Sequence, residues 1–314
     1  MLLILTSNKD LTADFLIVEL IKRGLPYFRL NAEDLALGHF TFSFDEDGLR
    51  RTISVDEKTL ALGDVSAVWY RRAINPVPDN NLSIAERHFV AGEFRHLVTG
   101  LVLDSDILWV NPIDRVFVAE HKLYQLRLAR KLGFNVPRTL VSLDRADLQK
   151  FAHESTTGTI CKPIFHGLFV DGPSRYSIYT RRIRSEMLDS ESVGSCPILL
   201  QDEIKRQADV RATFIGPHLF VADIIGTDSL VDWRDPQSCV QYLPSSLDPS
   251  TEGKCREMLA QLGLRYGAFD FIRTPDGQLV FLEINPTGEW AWLEDRLGFP
   301  MRNAFAQLFF GEHQ

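Results

Sequence analysis

The stretch YGAFDFIRTPDGQLVFLEINPTGEW, residues 266–290, decides how the chain is read. Two runs of alternating apolar and polar residues flank Asp276-Gly277, a pair that tight hairpin turns favour. With that pair at the centre of the turn, Asp270 lies opposite Glu283. Side chains alternate along a strand, so Asn285 joins them on the same face. The other face then carries Phe269, Phe271, Val280, Leu282 and Ile284, an apolar surface suited to a core. Facing carboxylates repel unless a cation lies between them. Two carboxylates and an amide oxygen make an all-oxygen set of the kind Mg²⁺ takes, with substrate phosphates completing its shell. The same residues also fit a plain strand end at an Asn-Pro turn with Asp270 solvated.

Upstream, ILLQDEIKRQADVRATFIG (198–216) runs an apolar strand into Gln201, Asp202, Glu203 and Ile204, then reaches Asp209 and Arg211 on the next strand. A hinge between strands offers backbone groups to a base edge and a carboxylate to ribose hydroxyls. Arg211, two residues after Asp209, points to the same side and suits charge on a transferring phosphoryl group. Two lysines precede this segment. Lys122 lies in the helical pattern AEHKLYQLRLARKLG, and Lys162 ends the strand GTICKP beside a glycine loop, FHGLF (165–169). Both fit a phosphate contact, and both fit ordinary surface lysines. No G-x-x-x-x-G-K-[ST] motif is present.

The rest of the chain opens as strand, helix, strand. LLIL (2–5) precedes a helix with Phe15, Val18 and Ile21 at helical spacing, Gly24 and Pro26 end it, and YFRL (27–30) resumes a strand. No G-x-G-x-x-G follows the first strand, which argues against a dinucleotide-binding domain. A hairpin (40–55), a strand ending in Arg71 and Arg72, a helix over 82–103 and LWVNP (108–112) complete a first domain, 1–112. A helix over 115–132 and a loop with a hairpin over 164–195 belong to a central lobe, 113–196, and strands with one helix fill a last lobe, 197–314.

Composition narrows the class. The chain has 314 residues, enough for about two domains. At 45% hydrophobic and 24% charged it has ordinary globular composition. A net charge of −8 argues against a nucleic-acid partner. Four cysteines without C-x-x-C spacing fit a reducing, cytoplasmic setting, and no apolar run is long enough for a membrane span. Eight histidines without H-x-x-x-H make a zinc site unexpected.

The order of these elements resembles the ATP-grasp superfamily of ligases: Lys122 after an Asn-Pro boundary, Lys162 before proline, the Gln201–Ile204 hinge, Asp209-x-Arg211, and Asp270 thirteen residues before Glu283-Ile-Asn285-Pro. Within it, AVWYRR (67–72) and FLEINPTGEWAWLE resemble the ribosomal-peptide maturases that form graspetides such as microviridins. The resemblance implies a mixed α/β ATP-grasp fold with a Rossmann-like pre-ATP-grasp domain at the N-terminus, ATP between two lobes and Mg²⁺, and it is compatible with a homodimer. It implies that Asp270, Glu283 and Asn285 hold Mg²⁺. Lys122, Lys162, Gln201, Asp202, Glu203, Ile204 and Asp209 would hold ATP, only one of Asp202 and Glu203 needing to face it, and Arg211 and Lys162 would act in catalysis. The implied substrate is a ribosomal precursor peptide with a leader, whose Asp or Glu side chains are phosphorylated and joined to Thr/Ser hydroxyls or Lys amines. Ala268 departs from the pattern, since some ATP-grasp ligases carry arginine there, and Arg211 is expected to take that contact.

Arg71, Arg72, Arg181, Arg182 and Arg184 are candidates for docking the acids of such a peptide, and equally for a solvated surface. Two other functions fit the same motifs: an intermolecular carboxylate–amine ligase that appends an amino acid, and a non-catalytic ATP-binding regulatory module.

Overall fold

The structure, a computed structural model, describes residues 1–46, 48–71, 81–103, 107–165, 167–171, 174–226, 232–233 and 239–311, and for 168–171 and 174–175 the backbone alone. Arg72 and the glycine-loop His166 lie outside the described residues.

The N-terminal part is β1 (Leu2–Thr6), α1 (Leu11–Arg23), β2 (Tyr27–Asn31), β3 (His39–Asp45), β4 (Gly48–Val55), β5 (Lys58–Ala61), β6 (Ala67–Tyr70), α2 (Ile84–Val102) and β7 (Leu108–Val110). A parallel sheet runs in the order β2-β1-β6-β7, with β3-β4-β5 as a separate antiparallel meander. The carboxylate of Asp10 caps α1, accepting from the Ala13 amide at 3.2 Å, and Gly24 closes it at φ 65°, where a side chain would be strained. The buried stripe of α1 is Ala13, Leu16 and Leu20; the expected Val18 and Ile21 are exposed. Both sets have helical spacing, and the capped entry turns the first one inward.

The centre holds α3 (Ile113–Ala119), α4 (Lys122–Lys131), β8 (Thr139–Ser142), α5 (Arg145–Glu154), β9 (Thr159–Lys162), β10 (Leu168–Asp171), β11 (Ser174–Ser177), β12 (Arg181–Ile183) and β13 (Ile198–Asp202). The single helix expected over 115–132 is broken at Glu120–His121, which places Lys122 at the first turn of α4. The central sheet runs β12-β9-β13-β8, so Ile198–Asp202 pairs with strands on both sides. The expected lobe boundary at 196/197 therefore falls just before a strand inside the central sheet, and the chain leaves that sheet after Asp202.

The last part is β14 (Ala208–Ile215), β15 (His218–Ile225), β16 (Gln241–Pro244), α6 (Pro249–Leu262), β17 (Tyr266–Arg273), β18 (Leu279–Asn285), α7 (Ala291–Leu297) and α8 (Met301–Phe310). Its antiparallel sheet runs β16-β15-β14-β17-β18. The β17–β18 hairpin differs from the sequence reading in two ways. Gly277 N–H donates to Thr274 O at 2.8 Å and Thr274 N–H to Gln278 O at 2.9 Å, closing a three-residue loop with Gly277 at φ 82°. A bulge between Asp270 and Phe271 then moves the pairing by one residue, so that Phe271 faces Phe281 and Asp270 faces Glu283. Phe281 thus takes the core place expected for Leu282, and Val280 pairs with Ile272.

Helices α7 and α8 return to the N-terminal part. Phe305 lies 5.1 Å from both the Trp69 and Trp290 rings, in one core cluster with Leu2, Ile4, Leu16 and Leu20. Each such buried side chain stabilises by about 1.5–3 kcal/mol relative to exposure. Through Tyr266 and Trp290 this packing anchors the open end of the β17–β18 hairpin.

Candidate functional site

A cavity of about 450 Å³ opens where α4, β9, the segment after β11 and the β17–β18 pair converge. Its wall includes Lys122, Lys162, Asp270, Glu283 and Asn285, so the structure brings together five of the expected site residues from three regions of the chain. Leu282, released from the core by the bulge, lines the same wall.

Each carboxylate has a cation beside it from another element. Arg211 NH1 lies 2.8 and 2.7 Å from the two Asp270 oxygens, because β14 and β17 pair with Arg211 directly opposite Asp270. Burial works against the Arg211 charge, but Asp270, Tyr266 and Glu283 outweigh it and hold its guanidinium above the usual arginine range. Lys122 Nζ lies 3.5 Å from Glu283 Oε2 and donates to the Pro163 carbonyl at 2.9 Å. Asn285 Oδ1 accepts from the Thr287 amide at 3.0 Å, an Asx turn that fixes its side chain at the cavity mouth. Asp270, Glu283 and Asn285 present hard oxygens on one strand pair, a donor set that fits Mg²⁺ with substrate phosphates. Among the described residues no cluster of three His, Cys, Asp or Glu side chains offers an alternative metal centre.

Two amides outside the expected set hold β18 in place. Gln125, one turn after Lys122, donates to the Ile284 carbonyl at 2.9 Å and accepts from the Ile284 amide at 2.9 Å, so its side chain pairs with β18 as a neighbouring strand would. Asn111 donates to the Tyr266 and Pro286 carbonyls at 2.8 and 2.9 Å and accepts from the Arg265 and Tyr266 amides. The sequence shows Asn111 only as half of an Asn-Pro boundary, whereas the i, i+3 spacing of Lys122 and Gln125 was a usable signal.

The hinge residues stand apart from this cavity. Gln201 is buried in β13 with Nε2 on Thr139 Oγ1 at 2.8 Å, and its buried Oε1 has no hydrogen-bond partner. Asp202 is held by Arg138 at 3.0 and 3.1 Å, and Glu203 by Arg182, whose Nε lies 2.8 Å from both carboxylate oxygens. Ile204 follows β13 in the connection to β14, half-buried, and Asp209 is buried against Arg206 at 3.0 Å. None of these residues lines the cavity.

Of the arginines considered for peptide docking, Arg181 and Arg184 are exposed, with Arg181 on the edge strand β12. Arg182 is exposed too, but engaged with Glu203. Arg71 is only 1% exposed and bonded to Asp10 and Glu289, which removes it from any surface a peptide could meet.

Residues 1–116 match the family model of the MvdD pre-ATP grasp domain. No curated protein sequence matches the chain. Among solved structures, macrocyclase MdnC from Microcystis aeruginosa MRC, bound with precursor peptide MdnA, superposes with a TM-score of 0.88 at 29% identity, over 98% of this chain and 99% of that one. Macrocyclase MdnB from the same organism superposes with a TM-score of 0.82 at 28% identity, over 99% of each chain. ATP-grasp ligase PsnB, complexed with a phosphomimetic variant of a minimal precursor, Mg and ADP, shares the fold with a TM-score of 0.73 at 21% identity, over 98% of each chain. No helix among the described residues is long and apolar enough to cross a membrane. With its mixed α/β sheets, its paired acids facing a cavity with two lysines, and these likenesses along its whole length, the chain is an ATP-grasp ligase resembling the graspetide maturases.

Proposed function

We propose that this enzyme uses ATP to phosphorylate Asp or Glu side chains of a ribosomal precursor peptide, then joins them to Thr/Ser hydroxyls or Lys amines of the same peptide as macrolactone or macrolactam rings. The observation that carries the reading is the Asp270–Glu283 pair, with Asn285 beyond it, opening on one cavity with Lys122 and Lys162. The likeness to MdnC, solved with its precursor peptide, supports a peptide as the substrate.

In the first step a substrate carboxylate oxygen attacks the γ-phosphorus, forming an acyl phosphate and releasing ADP. In the second, a hydroxyl or amine attacks the acyl carbon and inorganic phosphate leaves, the nucleophile losing its proton. The net change in the peptide is the loss of one water per ring. Asp270, Glu283 and Asn285 would hold Mg²⁺, which neutralises phosphate charge when bound. Lys122 and Lys162 place positive charge against phosphate oxygens, and Arg211, beside Asp270, bears on the equatorial charge of the transferring group. Phe165 and Gly167 border the cavity, where exclusion of water would protect the acyl phosphate.

Mass spectrometry of a precursor peptide incubated with the protein, ATP and Mg²⁺ tests the reading. A peptide lighter by one water per bond, dependent on both ATP and Mg²⁺, is the expected result. A heavier peptide would point to an intermolecular ligase, and ATP binding without ADP release on any acidic peptide would point to a regulatory module.

A further inference from the structure

We propose that Arg71 is a positioning residue through which the N-terminal domain sets the segment Pro286–Glu289, and with it Asn285 and Arg211. The inference deepens the function proposed above and rests on it. Arg71 follows β6, its backbone amide donating to Leu5 O at 3.0 Å, and its side chain runs inward past the Trp69 ring. A guanidinium has five N–H donors. Nε donates to Asp10 Oδ2 at 3.2 Å, NH2 to Asp10 Oδ1 at 3.2 Å and Glu289 Oε2 at 2.9 Å, and NH1 to the carbonyls of Thr287 and Gly288 at 2.8 and 3.1 Å. All five donors are satisfied within the protein, so none remains for a substrate.

The far side of the same segment rests on the catalytic machinery. A Cβ added at Gly288 would lie 2.9 Å from both Ala268 Cβ and Arg211 NH2, and 3.4 Å from Asn285 Cγ. Arg211 NH2 donates to Glu289 O at 3.4 Å, and the Tyr266 hydroxyl to Gly288 O at 2.6 Å. The Thr12 hydroxyl of α1 also bonds Glu289 Oε2. The segment is therefore held between two buried guanidiniums, Arg71 of the N-terminal domain and Arg211 of β14. A side chain at Gly288 would therefore press on Ala268, Arg211 and Asn285. The N-terminal domain shapes the site in this way although none of its described residues lines the cavity.

Arg71→Gln removes the clamp, and Gly288→Ala pushes on its far side while leaving the Arg71 charge in place. The readouts are Mn²⁺ affinity of the ADP-loaded protein by electron paramagnetic resonance, ring-forming kinetics, and the folded fraction by urea denaturation. Both variants are expected to weaken Mn²⁺ binding about ten-fold and to lower kcat about a hundred-fold per folded molecule, with peptide KM within about two-fold of the parent. Parent-like metal affinity and kcat in folded Arg71→Gln overturn the inference, and so does a rise in peptide KM alone, which would make Arg71 a substrate contact. If Arg71→Gln does not fold, Gly288→Ala decides, and parent-like metal affinity there overturns the inference. A parent protein that removes no water from any peptide would instead refute the proposed function, while the Mn²⁺ arm still reads the clamp.

Discussion

Asp270 faces Glu283 through two departures from regular geometry that offset one another. The loop Pro275–Gly277 is one residue longer than the two-residue turn Asp276-Gly277 suggests, and the bulge at Leu282 restores the register. The site face was legible in the sequence because these two shifts cancel there; on the core face Phe269, Phe271, Val280 and Ile284 were legible as well, and only Leu282 was not, because the shifts do not cancel beyond Phe271. Phe281→Ala is therefore expected to destabilise by about 3–5 kcal/mol in urea denaturation, and Leu282→Ala by less than about 1 kcal/mol, the reverse of what an unbulged hairpin requires. Chemistry separates the two acids as well. Asp270 is the counter-charge of the nearly buried Arg211, so its loss endangers the fold, whereas Lys122 keeps the Pro163 carbonyl when Glu283 is neutralised. Glu283→Gln is expected to lower Mg²⁺-dependent turnover at least about a hundred-fold in steady-state assays with little change in melting temperature.

Elements carry the site by pairing with one another over long sequence distances. The Gln125 amide of α4 pairs with β18, and the Asn111 amide after β7 ties the start of β17 to the residue after β18. The spacing from Lys122 marks Gln125 as a residue facing the site, but the partner of neither amide is readable locally, because each contact joins residues more than 150 apart in sequence. The α1 cap behaves similarly. Asp10 both caps its helix and pairs with Arg71. Burial pushes its carboxyl up, but the Arg71 charge and the hydrogen bonds from Arg71, Thr6 and Ala13 outweigh that and hold it below the usual aspartate range. A carboxyl depressed in the folded state contributes its stability above the unfolded value of about 3.9 and loses it as pH falls through the lower folded value. Urea midpoints followed below about pH 4 should therefore fall more steeply for the parent than for Asp10→Asn. Parallel curves would remove Asp10 from the acid response.

At the scale of the whole molecule, the two ends of the chain close on each other. Helices α7 and α8 share a core with β1, α1 and Trp69, and Arg71 continues that contact to the edge of the cavity. The ordered motifs made the fold readable, since each names an element and their sequence fixes the order of elements. The closure was not readable, since nothing local in AVWYRR distinguishes a surface arginine from a buried one. The remaining arginines divide in the same way. Charge reversal at exposed Arg181 is expected to weaken binding of an acidic peptide several-fold with ATP affinity unchanged, whereas reversal at Arg182 also frees Glu203 and should disturb both. Binding isotherms for peptide and for ATP check the difference, and unchanged peptide affinity in Arg181→Glu would exclude β12 as a docking edge.

A crystal structure grown with Mg²⁺ and a non-hydrolysable ATP analogue bears on the whole scheme at once. Oxygens of Asp270, Glu283 and Asn285 should stand in or next to the metal shell, at about 2.0–2.1 Å where they ligate directly, with the triphosphate running toward Lys122 and Lys162. A nucleotide seated away from that hairpin, or a metal held by other side chains, would contradict it.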